Sequence, residues 1–265
     1  MKIFNNFLFE IKYLYNQKLR IKRSLPSKQE HSDLYLCSYP KSGNTWLSFI
    51  IANVNAQMSQ KNLEINFFNL HQYIPDVHAH KKIDKSLLSF PGYRIIKSHS
   101  EFNPNYKFII YLVRNPIHTM VSYFHYQKNF FDGKLDLSNF IRSKKYGIDK
   151  WLLHVNGWIN HPPDVSFNII KYEDLKSDPH QTIHKLYKNL GFQIPENIIK
   201  QAIDSSDFMK MKEMEKEYYG IFSKYKNVQF VRQKNSSLSE LELNDNDRNF
   251  IKKKTNELMK KLNYL

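Results

Sequence analysis

The chain holds a single cysteine, Cys37, and only seven glycines in 265 residues. One thiol excludes an internal disulfide and any cysteine-based zinc cluster, and it suits a reducing compartment. Nowhere is there a run near the ~20 apolar residues that a membrane-spanning helix needs. The opening stretch MKIFNNFLFEIKYLYNQKLRIKR (1–23) lacks the uninterrupted apolar core of about 7–15 residues and the small-residue cleavage site of a secretory signal. A cytoplasmic location is therefore expected. Acidic residues are in deficit as well: 25 Asp plus Glu against 40 Lys plus Arg, a formal charge of +15. That balance suits a polyanionic partner, whether nucleic acid, anionic membrane or a phosphate- or sulfate-bearing ligand. A compositional bias toward Lys, Asn, Ile, Phe and Tyr produces the same charge without any partner, so charge alone decides nothing.

Hydrophobic residues at 41% and aromatics at 15% exclude a disordered chain, and the length allows a large buried core. Phe4, Phe7, Leu8, Ile11, Leu14 and Tyr15 recur at helical spacing with Lys and Arg between them. Residues 1–30 read as an N-terminal helical extension, either docked on the domain or making peripheral contact with a membrane surface. Residues 31–265 read as one domain. Within it, apolar strands are predicted at 34–38, 93–98, 107–113 and 166–172. The third and fourth look buried in a parallel sheet. Helices are predicted after residue 44, with Trp46, Leu47, Ile50, Ile51 and Val54 on one face, and from Asn115-Pro116, with Asn as cap and Pro first in the helix. Further helices are expected over 151–159 and over 178–192, closed near Gly191, and the lysine-rich C-terminal third reads as mostly helical. Alternating strands and helices imply a three-layer α/β fold with a central parallel sheet and helices on both faces. Ligands then belong at the carboxyl ends of the strands.

The stretch YPKSGNTW (39–46) joins the first strand to the first helix, so its backbone N–H groups converge on an anion. Gly43 permits close approach, Lys41 adds charge, and Ser42, Asn44 and Thr45 offer side-chain donors. It is not the G-x-x-x-x-G-K-[ST] loop of nucleotide hydrolases. It resembles the Y-P-K-S-G-T-T-W loop of the sulfotransferases that use 3′-phosphoadenosine 5′-phosphosulfate (PAPS), with Asn44 in place of a Thr. In that family the loop binds the 5′-phosphosulfate and the Trp stacks on adenine. The resemblance places these roles on Lys41 to Thr45 and on Trp46.

About seventy residues on, VRNPIHTMVSYFHY (113–126) is similar to the family's R-N-P-x-D-x-x-V-S-x-Y segment, whose Arg and Ser bind the 3′-phosphate. These are Arg114 and Ser122 here, while His118 stands where the family usually has Asp. IIKSHS (95–100) resembles the K-T-H segment. Lys97 and His99 lie two apart at a strand end, on one face, with Ser98 pointing away. His99 can take a proton from an acceptor hydroxyl, and Lys41 and Lys97 can neutralise charge on the transferred group and leaving phosphate. KYEDL (171–175) looks like the Y-E-D segment that places Tyr172 near adenine. SSDFMKMK (205–212) aligns with T-S-F-x-x-M-K, which carries Ser206 and Phe208 there. FVRQKNSSLSE (230–240) keeps Arg232 for the 3′-phosphate, but Lys234 and Ser237 replace the family's glycines.

The resemblance covers about residues 34–240 and implies a PAPS-dependent sulfotransferase. Its acceptor would be a small molecule, lipid or glycan, held by segments such as 60–92 and 126–160, and no nucleic acid would be bound. His71, His78 and His80 suggest a metal, but a third or fourth well-placed ligand is not evident, and none is expected. The alternative is a P-loop-type kinase, against which stand the missing G-K-[ST] and the absence of an Asp on an apolar strand for Mg²⁺.

Overall fold

The computed structural model describes residues 18–60, 63–79, 83, 92–128, 130, 136–221 and 242–265. Four strands form one parallel sheet: β1 (Asp33–Ser38), β2 (Arg94–Ser98), β3 (Phe108–Val113) and β4 (Ser166–Lys171). Their order is β2-β1-β3-β4. β1 is buried throughout and alternates strictly between two cores. Leu34 and Leu36 face one side, and Tyr35 and Cys37 the other. The first core is closed by α1 (Asn44–Met58), with Leu47, Ile50 and Ile51, and by α7 (Pro179–Asn189) and α8 (Glu196–Ser205). The second is closed by α3 (Pro116–Lys128), α4 (Leu137–Arg142), α5 (Ile148–Ile159) and α10 (Asp245–Lys261). The fold is thus the expected three-layer α/β arrangement. Further helices are α2 (Leu70–Tyr73), α6 (Tyr172–Ser177) and α9 (Phe208–Ile221), and residues 18–23 are helical as well.

Local chemistry accounts for the helix ends. Asn115 caps α3, its Oδ1 accepting from Ile117 N–H at 2.9 Å, and Pro116 takes the first helical position, where no donor is needed. Asp178 caps α7 by accepting from Gln181 N–H at 2.9 Å. The chain leaves that helix through Gly191 at φ 87°, the left-handed conformation that glycine adopts without penalty.

Two expectations are corrected. β4 is an edge strand, with Ile170 its one buried residue and Ile169 44% exposed, because it is last in the sheet order. Tyr172 begins a helix instead of ending that strand. Trp46 packs half-buried against the same core as Leu47, Ile50, Ile51 and Val54, as expected.

The entry edges of β1 and β2 are locked by a buried ion pair. Arg94 and Asp33, 3% and 4% exposed, meet through Nε–Oδ1 at 2.6 Å and Nη2–Oδ2 at 2.9 Å. The guanidinium also donates to Ile83 O at 2.8 Å and Lys28 O at 2.6 Å, so every arm of the fork is used. Removing one partner leaves an uncompensated charge inside. Asp33→Ala is expected to cost about 3–5 kcal/mol in denaturant melts, and a paired apolar replacement of both residues to recover most of it.

Candidate active site

The 39–45 loop turns at two left-handed residues, Lys41 (φ 67°) and Gly43 (φ 98°), on either side of Ser42. Such alternation points successive N–H groups into one concavity, and it opens at the N-terminus of α1, where the helix dipole favours negative charge. Gly43 is required twice over. A Cβ there would lie 2.4 Å from Tyr172 Cδ2, and its φ strains any other residue. Arg114, just beyond β3, reaches across to donate from Nη1 to Lys41 O at 3.1 Å. Its guanidinium carbon sits 4.3 Å from the Tyr172 ring centroid, a cation–π distance. Two buried polar atoms of this cluster, Ser42 Oγ and Arg114 Nε, meet no hydrogen-bond partner. Buried donors are seldom left unpaired, and the two atoms are available to the anionic groups of a bound ligand.

The other expected binding residues surround this cluster unevenly. Lys41 Nζ lies 4.9 Å from the Tyr126 ring. Asn44 turns its carboxamide into the sheet, donating to Ser38 Oγ at 2.9 Å and Leu36 O at 3.3 Å, so its backbone alone faces the loop. Thr45 is half-buried, as is Ser122, which lies off the buried stripe of Ile117, Met120, Val121 and Phe124. Trp46 donates from Nε1 to Ser206 O at 3.0 Å and meets Tyr172 edge-on at 6.0 Å. The Ser206 hydroxyl is fully buried and donates to Ala202 O at 2.8 Å, so Ser206 positions Trp46 through its carbonyl. Phe208 is half-buried at the start of α9. Arg232, with the rest of 230–240, lies outside the described residues.

His99 follows β2 directly. Its Nδ1 lies 2.9 Å from Ser38 O and 3.3 Å from Ser38 Oγ. A carbonyl oxygen only accepts, so Nδ1 carries the proton and Nε2 the lone pair. The ring keeps partial exposure and lines a cleft of about 570 Å³ with His78, Ser100 and residues of the 18–24 segment. Burial, and then the Lys97 charge, push the His99 pKa down to about 4, against the opposing pull of the Asp76 carboxylate. Ser98 points away as expected, its hydroxyl 3.1 Å from Tyr106 OH. Behind the site, α5 braces the backbone that follows His99. Trp158 Nε1 donates to Ser100 O at 3.0 Å, and one turn earlier His154 Nδ1 lies 3.0 Å from Tyr111 OH.

Two contributors, Asp76 and Glu173, receive no role from the sequence. Asp76 sits 3.5 Å from Lys97 Nζ, held there because Lys97 N–H donates to Pro75 O at 2.8 Å and Val77 N–H to Lys97 O at 3.0 Å. Glu173, inside the KYEDL segment, accepts from Asn115 N–H at 3.0 Å and Tyr264 OH at 2.7 Å. Burial pushes its carboxyl up, but bonds from His118, Tyr264 and the Asn115 N–H outweigh burial and hold it below the usual range. His118, 3.8 Å away, thus occupies a position where a second carboxylate would repel. Among the described residues no three His, Cys, Asp or Glu side chains gather as a metal site.

A loop of convergent N–H groups with a histidine fixed beside it, on a parallel α/β sheet, suits group transfer from a phosphorylated or sulfated donor. The Sulfotransferase domain family model matches residues 31–263, and the chain belongs to that family. It is 27% identical over 204 residues to human Sulfotransferase 1C2, covering 68% of this chain and 66% of that one. With rat Sulfotransferase 2A2 it is 28% identical over 210 residues, covering 74% and 72%. Among solved structures it is similar to the mouse sulfotransferase SULT7A1 complexed with PAP (TM-score 0.52, 26% identity, 73% and 70% covered). Retinol dehydratase in complex with retinol and PAP shares the fold (TM-score 0.66, 16% identity, 88% and 82% covered).

The histidine chemistry is testable by pH. Unfolded, His99 takes up a proton near its ordinary 6.5, and folded only near 4, so between these values the unfolded chain binds more protons. Stability therefore rises with pH across that window, and melting temperatures are expected to climb less steeply in His99→Gln. Imidazole NMR shifts should show the ring neutral down to about pH 5. In Asp76→Asn the titration should move lower still, since the carboxylate that favours the charged ring is gone.

Proposed function

We propose that this chain transfers the sulfuryl group of PAPS to a hydroxyl or amine of an acceptor, by in-line displacement with His99 as general base. The observation that carries this reading is the bond from His99 Nδ1 to the carbonyl of Ser38, the residue from which the donor loop departs. Base and loop are thereby one unit. The loop N–H groups, Lys41, Ser42, Gly43 and Thr45 cradle the 5′-phosphosulfate. Arg114, Ser122 and Arg232 hold the 3′-phosphate, and Trp46, Tyr172, Ser206 and Phe208 frame the adenine. His99 Nε2 takes the acceptor proton as the acceptor oxygen closes on sulfur. Lys41 and Lys97 meet the charge that gathers on the leaving bridging oxygen, where a fixed cation is most effective. The donor is a co-substrate, and no metal takes part in this scheme.

We assign the catalytic domain to residues 31–265 and read 1–30 as an extension of it, with a small molecule, lipid or glycan as acceptor class and the cytoplasm as location. Cys37 is fully buried, which suits a core residue in a reducing compartment. No helix among the described residues is long and apolar enough to cross a membrane. Membrane contact, if made, falls to the segment before residue 18, outside the described residues.

Calorimetry tests the nucleotide assignment. Adenosine 3′,5′-bisphosphate is expected to bind well and AMP distinctly worse. Arg114→Ala should weaken the bisphosphate by about 1.5–3 kcal/mol, the range for bonds to charged groups, and leave AMP little changed. Equal binding of the two nucleotides by the wild type removes Arg114 and Ser122 from the site. His99→Ala is expected to lower kcat by about 10²–10⁴ while the bisphosphate binds as before. A structural histidine would instead lose stability and binding together.

A further inference from the structure

The cleft at His99 tells which acceptors suit it. Leu19 is the one apolar side chain among its described lining residues. A sterol-like or retinoid-like acceptor suits a wall of apolar side chains, whereas the other lining residues here carry polar or charged groups on their apolar stems. One side of it comes from helical residues 18–23, where Arg20 and Arg23 lie three apart on a common face. The segment is not a loose arm. The buried Asn103 amide donates to Ser24 Oγ at 2.9 Å and to Ile21 O at 3.2 Å, and Tyr106 OH donates to Ser24 O. Tyr106 is itself fully buried and stacked on Tyr35, so the wall is bolted to the core under β1.

The charges of that wall do not cancel. Glu101 is the acidic residue of the described lining, and it is engaged by the Arg20 guanidinium and lies 3.9 Å from Lys150 Nζ. His78 lies with its Nε2 3.2 Å from Ser100 Oγ, and its pKa is lowered by desolvation and by the Lys97 charge, against the pull of Asp76. Arg23 lines the same cleft, exposed to solvent, and its charge is the one that no carboxylate of the described lining offsets.

We propose that the acceptor is an anionic alcohol or phenol, whose hydroxyl reaches His99 Nε2 while a carboxylate or phosphate of the same molecule pairs with Arg23. This rests on the sulfuryl-transfer reading above. The acceptor O–H bond gives its proton to Nε2, the oxygen forms the new O–S bond, and the S–O bond to the nucleotide phosphate breaks with its electron pair on the phosphate oxygen. The acceptor's own anion stays out of the reaction and serves to orient it.

The test pairs acceptors that differ only in that anion: 4-hydroxyphenylacetate with its methyl ester, and inositol 1-phosphate with inositol. Phosphatidylinositol in phosphatidylcholine vesicles presents the same phosphate as a lipid headgroup. Each is incubated with PAPS and product is followed by mass spectrometry, with bisphosphate binding measured in parallel. The anionic member of a pair is expected to be favoured in kcat/KM by about fivefold at low salt, the most an exposed ion pair supplies, and less as salt rises. Arg23→Ala should bring the ratio close to one, and Arg23→Lys should restore most of it. Sulfation of the vesicle lipid but not of the soluble anions assigns the phosphate to a headgroup. Equal or better turnover of the neutral members, a ratio that survives Arg23→Ala, or no product from any anionic member overturns the proposal. Bisphosphate binding in those cases leaves the nucleotide reading standing, whereas its absence sinks both.

Discussion

A carbonyl oxygen accepts hydrogen bonds and cannot donate them, and that of Ser38 lies 2.9 Å from His99 Nδ1. This contact settles the tautomer and presents Nε2 as the lone-pair face. Everything else in the site is arranged about it. Ser38 is the last residue of β1, pinned through its hydroxyl by the buried Asn44 amide, and the anion loop runs between the two. β2 lies beside β1 with Cys37 opposite Ser98, which brings His99 alongside Ser38. The sheet register therefore sets His99 and the 39–45 loop in one frame, and the proposed chemistry, which needs both, can work without rearranging either.

Glu173 is the second organising point. It accepts from the Asn115 backbone, next to Arg114, and from Tyr264 near the chain end, and so ties the end of β3, the start of α6 and the C-terminus together. Arg114 and Tyr172 are thereby held face to face at 4.3 Å. A half-buried carboxylate costs less when its acceptors are used, and here both oxygens accept. The His that replaces the family's Asp at 118 belongs to the same balance, since it lies 3.8 Å from Glu173, where an Asp would repel it.

The formal charge of +15 acquires a local meaning in this setting. Much of it is spread over solvated helix faces such as that of α10, where Lys252, Lys253 and Lys254 are exposed. A smaller part, Lys41, Arg114, Lys97 and Arg23, gathers along the carboxyl ends of the strands. There the proposed ligand would meet charge at short range, a placement that net charge by itself does not give.

Much of the fold was legible in the sequence because it rests on local rules. Continuous apolar runs announced β1 and β3, Asn-Pro announced the start of α3, and a strand–loop–helix order announced the anion loop. Period-two alternation put Lys97 and His99 on one face. What escaped was set by contacts between distant residues. The edge position of β4 depends on sheet order, which no single strand encodes. Asp76 becomes part of the site only because its segment lies beside β2, and the 18–24 segment becomes a wall of the cleft only through Asn103 and Tyr106, about eighty residues away. Residue types and short spacings determined what chemistry this protein can hold. Packing decided which charges share a cleft and which are cancelled, because ion pairs and burial act through space and not along the chain.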